Sequence, residues 1–305
     1  MEKIAFIFPG QGAQYPGMGK DFYEGQPVAH QMFQLAQEVT GLDMVKLCFT
    51  ENEQLNITEY TQIAMLAVEV AILKVVEEKG IRPTVTAGLS LGEYGALIAS
   101  GILAPADGFR LIRQRGILMQ EAVPTGGAMA AVIGLDNEIV KAGIDKVGSD
   151  QGIVTIANYN CPGQVVITGD EVAVAAAMEV LVGMGARKCI PLKVSGPFHS
   201  PLMSEAGQKL HEVLGRIPLG EIRIPYIANV TADYVADIKA VPQLLAQQVS
   251  ASVKWQQTIE RMIADGITTL IEIGPGKTLS GFIRKINREV KTINVENMSD
   301  IAKLG

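Results

Sequence analysis

The sequence predicts an α/β protein with a parallel sheet core and a small inserted domain, and three observations carry that prediction. Short apolar runs alternate with longer stretches of helical period, the arrangement that builds a parallel sheet with helices over its faces. One internal stretch, 126–196, follows a strand-helix-strand-strand-helix-strand order of its own, bounded by the turn formers Pro124-Thr125-Gly126-Gly127 and Ser195-Gly196-Pro197. At 305 residues and 48% hydrophobic content, the chain can bury a core for two unequal units.

The run Ile4 to Phe8 lacks the longer apolar region and cleavage site of a signal peptide and reads as the first strand. A helix is expected near 61–79, then a strand at 85–88 and a helix from Leu91. Residues 1–125 and 197–305 are assigned to the large domain and 126–196 to the small one. The small domain carries strand 128–133, helix 137–147, strands 153–158 and 164–169, helix 171–184 and strand 186–192. That is the ferredoxin-like order, βαββαβ. The large domain resumes with helix 204–214, strand 224–229, helix 255–265 and strand 269–273.

Composition removes several function classes. A net charge of −6 without a clustered excess of Lys and Arg argues against a nucleic-acid-binding face. The most apolar stretch, 63–76, is broken by Glu69 and Lys74 and falls short of the roughly 18 uninterrupted residues of a membrane span. Cys48, Cys161 and Cys189 are widely spaced, with no CxxC pair, which fits a reducing compartment, the cytoplasm, and neither a disulfide framework nor a zinc site.

The chemistry centres on Gly88-x-Ser90-x-Gly92, placed between a strand and a helix start. This nucleophile-elbow pattern makes the large domain α/β-hydrolase-like. Glycines there let backbone pass closely while the Ser is held exposed and strained, and the helix N-terminus beneath it offers free N–H groups to an oxyanion. A serine hydroxyl needs a base. Of the three histidines, His30 and His211 sit in helical stretches, whereas His199 lies in the proline-framed loop Gly196-Pro197-Phe198-His199-Ser200-Pro201 where the domains rejoin. His199 is therefore the candidate base. No Asp or Glu stands out to orient it, so a dyad held by a backbone carbonyl is expected.

Pro9-Gly10-Gln11-Gly12-Ala13-Gln14 invites a phosphate-loop reading, but Tyr15 stands where GxGxxG needs its third glycine. Gly276-Lys277-Thr278 also fails, because Ile271 occupies the place of the first Walker glycine. Gln11 is then either a surface-turn residue or the source of an amide or backbone N–H for an oxyanion. Near 107–123, Leu111, Ile112, Leu118, Met119 and Val123 share one helical arc, and Arg115 falls inside it. Two readings fit: an Arg paired with a structural carboxylate or snorkelling outward, and a bidentate clamp for a substrate carboxylate.

These residues together resemble a family, the acyl-CoA:acyl carrier protein transacylases, and most closely the stand-alone malonyl transacylases of bacterial fatty-acid synthesis. The resemblance runs end to end through Phe8-Pro9-Gly10-Gln11-Gly12-Ala13-Gln14, Ser90-Leu91-Gly92-Glu93-Tyr94, Arg115-Gly116, Met119-Gln120-Glu121-Ala122, Asn160-Cys161-Pro162-Gly163-Gln164-Val165-Val166-Ile167, Phe198-His199-Ser200 and Gly274-Pro275-Gly276-Lys277. It implies Ser90 as nucleophile, His199 as base, the backbone N–H groups of Gln11 and Leu91 as oxyanion hole, Arg115 as ligand of the malonyl carboxylate, and the Gln248 carbonyl as the group orienting His199. Phe198 matches the malonyl-type form of its loop. Leu89 departs from the family's commonest elbow, Gly-His-Ser-Leu-Gly, and bears on acyl selectivity rather than on the dyad.

The implied activity is ping-pong transfer of malonyl from malonyl-CoA to the phosphopantetheine thiol of acyl carrier protein, through a malonyl-serine ester, in fatty-acid biosynthesis. Service to a polyketide synthase, or hydrolysis of the acyl-serine as in a thioesterase, are the alternatives, with a catalytically dead acyl-CoA sensor a further rival. No metal or redox cofactor, nucleic acid or membrane is called for, and the resemblance implies a monomer. Acyl carrier proteins are acidic, which makes Arg187, Lys188, Lys193, Lys285 and Arg288 the expected docking residues.

Overall fold

The structure, a computed structural model, describes residues 3–194 and 196–305. Met1, Glu2 and Ser195, read above as part of the chain start and of the small domain's closing turn, lie outside the described residues. From β1 (Ile4–Phe8) the chain passes through helices α1 (Lys20–Gly25), α2 (Pro27–Thr40), α3 (Met44–Phe49) and α4 (Thr58–Glu78) to β2 (Val85–Gly88), then α5 (Gly92–Ala99) and α6 (Pro105–Ala122). A second unit of sheet and helices follows: β3 (Gly127–Ile133), α7 (Asn137–Ile144), β4 (Val154–Cys161), β5 (Gln164–Asp170), α8 (Glu171–Gly183) and β6 (Lys188–Pro191). The remainder comprises α9 (Ser204–Leu214), β7 (Ile227–Ala228), β8 (Asp233–Tyr234), α10 (Val241–Ser250), α11 (Trp255–Ala264), β9 (Thr269–Ile273), α12 (Thr278–Ile286) and β10 (Lys291–Val295).

The core sheet runs β10-β9-β1-β2, all parallel, with Ile7 opposite Ala87 on one side and Glu272 on the other. Helices cover both faces, which is why β1 and β9 read as nearly continuous apolar runs. The chain leaves β1 for β2 on one side and later returns to β9 on the other. Such a reversal opens a crevice at the carboxyl ends of the strands, where ligands bind in open α/β sheets. The loops after β1 and β2, carrying Gln11 and Ser90, project there. Helix α4 is buried on almost every side, as its all-round apolar character requires, and even Glu69 is fully enclosed. Among the described residues, no helix is long and apolar enough to cross a membrane.

The second sheet runs β4-β5-β3-β6 and is antiparallel throughout, the ferredoxin-like order. Alternation along β3 sends Ala130 and Val132 into a core with Val140 of α7 and Leu181 of α8. Met129 and Ala131 point the other way and line the crevice over the parallel sheet. The small sheet is tied to the rest of the fold where Val253, between α10 and α11, exchanges main-chain hydrogen bonds with β4, donating to Ala157 at 2.8 Å and accepting from Tyr159 at 2.9 Å. The fold is thus α/β, with a parallel core sheet and a small antiparallel subdomain.

The expected strand 224–229 shrinks to the two residues of β7. Pro225 has no N–H for a ladder. Its carbonyl instead accepts the Thr86 N–H at 2.9 Å, and Tyr226 bridges Thr86 beyond the edge of β2. The last small-sheet strand is also shorter than 186–192, because Arg187 and Leu192 each make a single flanking bond, to Ile133 and Met129.

Candidate active site

Ser90 sits at φ 55° between β2 and α5, a left-handed conformation unusual for a residue with a Cβ. The flanking glycines make it possible. A Cβ on Gly88 would lie 1.9 Å from the Gly92 carbonyl oxygen, and one on Gly92 would lie 2.2 Å from the Phe8 oxygen. The elbow is then clamped by Asn229, whose Oδ1 accepts the Ser90 N–H at 2.7 Å while its Nδ2 donates to the Gly88 carbonyl at 2.6 Å. Asn229 is fully buried in the stretch after β7.

His199 also has a positive φ, 61°, and is anchored by its N–H to the Val249 carbonyl at 3.1 Å. Its Nδ1 lies 2.7 Å from the Gln248 carbonyl, which only accepts, so Nδ1 carries the proton. Nε2 is then the acceptor facing Ser90 Oγ at 2.8 Å. Burial, helped by the nearby Arg115 charge, lowers the His199 pKa to about 4, so the imidazole is neutral and ready to take a proton at neutral pH.

Arg115 lies on the inner face of α6, fully buried, with Leu111, Ile112 and Met119. Its Nη1 donates to Gln62 Oε1 at 2.7 Å, and Nη2 donates to Gln248 Oε1 at 2.9 Å and to Ser90 Oγ at 3.1 Å. All three partners are neutral. Among the described residues no carboxylate pairs with it, and its buried Nε–H has no acceptor. A structural ion pair is therefore not what this guanidinium makes, and burial pulls its pKa below the usual value.

The remaining wall of the cleft, about 260 Å³, comes from the loop after β1, the small sheet and α12. Gln11 and Leu91 both line it, and neither main-chain N–H meets an acceptor among the described residues. The Gln11 side-chain amide, in contrast, is committed to Thr58 Oγ1 at 3.1 Å. Of the two groups this residue offers an oxyanion, the backbone N–H is the free one. Phe198 and Leu89 also face the cleft. His30 stacks on Tyr23 and His211 sits on α9, both away from it. Every site residue expected from the sequence thus lies in or directly behind one cleft. Three were missed there: Asn229, Glu93 and Gln62.

The acyl transferase domain family model matches residues 5–305. A malonyl CoA-acyl carrier protein transacylase of Bacillus subtilis is 46% identical over 303 residues, covering 99% of this chain and 96% of that protein. The chain belongs to the malonyl CoA-acyl carrier protein transacylases. Solved transacylases share the whole architecture. The crystal structure of the malonyl CoA-acyl carrier protein transacylase from Clostridium perfringens superposes with a TM-score of 0.95 at 43% identity, covering 99% of this chain and 96% of that one. A malonyl-transacylase solved in complex with a type II PKS acyl-carrier protein reaches 0.96 at 39% identity, covering 99% and 98%.

Within this family's frame, the missed residues had a common signal. Glu93 directly follows the elbow on a helix otherwise made of apolar and small residues, Gln62 sits on an apolar helix, and Asn229 closes an apolar run. A polar side chain in such a place requires a buried partner.

Proposed function

We propose that Ser90 is the nucleophile and His199 the base through which this chain transfers malonyl from malonyl-CoA to the phosphopantetheine thiol of acyl carrier protein. The 2.8 Å contact of Ser90 Oγ with His199 Nε2, with Arg115 on the same oxygen, carries the reading. His199 takes the Ser90 proton as Oγ attacks the thioester carbonyl. The backbone N–H groups of Gln11 and Leu91 receive the oxyanion, each donor contributing about 3 kcal/mol. Collapse expels the CoA thiolate, which takes the proton from His199 and leaves a malonyl ester on Ser90. The carrier thiol then passes its proton to His199 and attacks the ester carbonyl; collapse expels Ser90 Oγ, which takes that proton from His199, and the thiol leaves with the malonyl group. Arg115, whose charge its neutral partners leave unmatched, holds the malonyl carboxylate.

Residues 126–196 form a small ferredoxin-like domain inserted into the large one, and its sheet walls the cleft. The chain works as a cytoplasmic monomer of fatty-acid biosynthesis. Arg187, Lys188, Lys193, Lys285 and Arg288 are all exposed, as docking of an acidic carrier protein requires, and Lys285 is steadied by Gln164 at 2.9 Å. The test is kcat/KM for malonyl-CoA and acetyl-CoA in Arg115→Ala. Malonyl transfer is expected to lose about 3–5 kcal/mol more than acetyl transfer. Equal losses would contradict the role of Arg115.

A further inference from the structure

We infer that Glu93 is a positioning residue that sets malonyl selectivity by holding the Gln248 side chain and, through it, Arg115. The inference rests on the reading of Arg115 as the ligand of the malonyl carboxylate.

Glu93 is the second residue of α5 and is 1% exposed. Its Oε2 accepts from Gln248 Nε2 at 2.7 Å and from the Asn229 N–H at 3.3 Å. The Gln248 amide has a single consistent orientation. Its Nε2 also donates to the Ser90 carbonyl at 2.9 Å, and its Oε1 faces the donor Nη2 of Arg115 at 2.9 Å. The amide therefore stands between a buried cation and a buried carboxylate and aligns its dipole with both. Among the described residues Glu93 forms no direct ion pair, so this one amide links it to positive charge. Gln62 and Gln248 hold the two terminal nitrogens of Arg115, and releasing Gln248 frees the fork that a substrate carboxylate must meet in register.

Burial raises the Glu93 carboxyl to about 7, against the downward pull of its two hydrogen bonds and of Arg115, so its ionisation changes across neutral pH. Of the groups around it, Tyr94 of the same helix and Tyr226 ahead of β7 are raised by burial away from neutral pH, His199 is lowered to about 4, and Glu69 on the adjoining α4 is raised well above the usual carboxylate range by burial. Malonyl selectivity should therefore rise with pH through about 7, as the Glu93 anchor becomes charged and the Gln248 bond strengthens.

The experiment measures the ratio of kcat/KM for malonyl-CoA to that for acetyl-CoA between pH 5.5 and 8.5. The proteins are wild type, Glu93→Gln, Gln248→Met, the double variant and Arg115→Ala. Glu93→Gln keeps the shape and an acceptor but removes the charge. It should lower the ratio about tenfold at pH 8 and flatten its pH dependence, and should lower it less than about threefold in the Gln248→Met background. Equal loss for both substrates, or the same loss with and without Gln248, would overturn the inference. If Glu93→Gln does not fold, Gln248→Met decides alone: a flat ratio supports the relay and an unchanged rise through pH 7 overturns it. Arg115→Ala separates the two levels. A ratio that survives this substitution sinks the Arg115 reading itself, whereas a ratio lost in Arg115→Ala but kept in Glu93→Gln sinks only the role of Glu93.

Discussion

Asn229→Ala should cripple the elbow while leaving every expected catalytic residue unsubstituted. The substitution deletes the bond from the Ser90 N–H, 2.7 Å, and the bond to the Gly88 carbonyl, 2.6 Å. Each is worth about 1 kcal/mol net, and two main-chain groups left facing a void add roughly 1–3 kcal/mol. The left-handed backbone of Ser90, itself about 1–2 kcal/mol above an ordinary conformation, then loses its restraint. The expected stability loss is about 3–5 kcal/mol. The larger effect is on rate, because Oγ moves off His199 when φ relaxes, and a misplacement near 1 Å costs on the order of 100-fold. Thermal unfolding and malonyl transfer measured on the same preparation check both numbers. Asn229→Asp is the control: its carboxylate still accepts from Ser90 but repels the Gly88 carbonyl, so its loss should fall between. Asn229→Ala retaining more than about half of wild-type kcat/KM would refute the clamp.

The other predictions follow from burial and close approach. Acylation of Ser90 should persist well below pH 6.5 and fall only near pH 4, because protonated His199 cannot accept and its pKa is lowered to about 4; a fall centred at 6.5 in the pH profile would contradict this. Glu69 has both oxygens buried without partners and a carboxyl raised well above the usual range. The unfolded chain releases that proton near pH 4.3 and the folded chain does not, so stability is lost as pH rises, by roughly 1.4 kcal/mol per pH unit until the folded group ionises. Glu69→Met should therefore raise the unfolding temperature at pH 7.5 more than at pH 4.5, and a gain equal at both would contradict it. Gly92→Ala places a Cβ 2.2 Å from the Phe8 oxygen and should destabilise by at least 1–3 kcal/mol and abolish acylation, as unfolding curves and acyl-enzyme yield would reveal.

Most of the geometry of the candidate site was legible because it depends on local rules. Gly88 and Gly92 declare the elbow through sterics, His199 is the one histidine in a proline-framed loop, and the arc of α6 places Arg115 inward. The strand-helix order of 126–196 likewise foretold the antiparallel sheet, since each element buries one alternating face. What stayed hidden is long-range. The side-chain amides of Asn229 and Gln248 meet Ser90 from 139 and 158 residues away, and no local pattern marks an amide for a distant backbone group; of Gln248 only the carbonyl was expected. Among fold elements, α1, α3, β8, α10, α12 and β10 were not foreseen. The first two are only six residues long, α12 starts within a misleading Gly276-Lys277-Thr278, and β10 is flanked by charged residues. Gln11 illustrates a subtler limit: the sequence offered its amide and its N–H alike, and only the Thr58 contact distinguishes them.

The central claim, that malonyl passes through an ester on Ser90, is tested most directly by intact-protein mass spectrometry. Wild type mixed with malonyl-CoA should gain one malonyl group, located on the peptide containing Ser90, and lose it on addition of phosphopantetheinylated acyl carrier protein, which gains it in turn. Ser90→Ala should gain nothing. A malonyl adduct on Ser90→Ala, or a wild-type adduct that water releases as fast as the carrier protein does, would contradict the account.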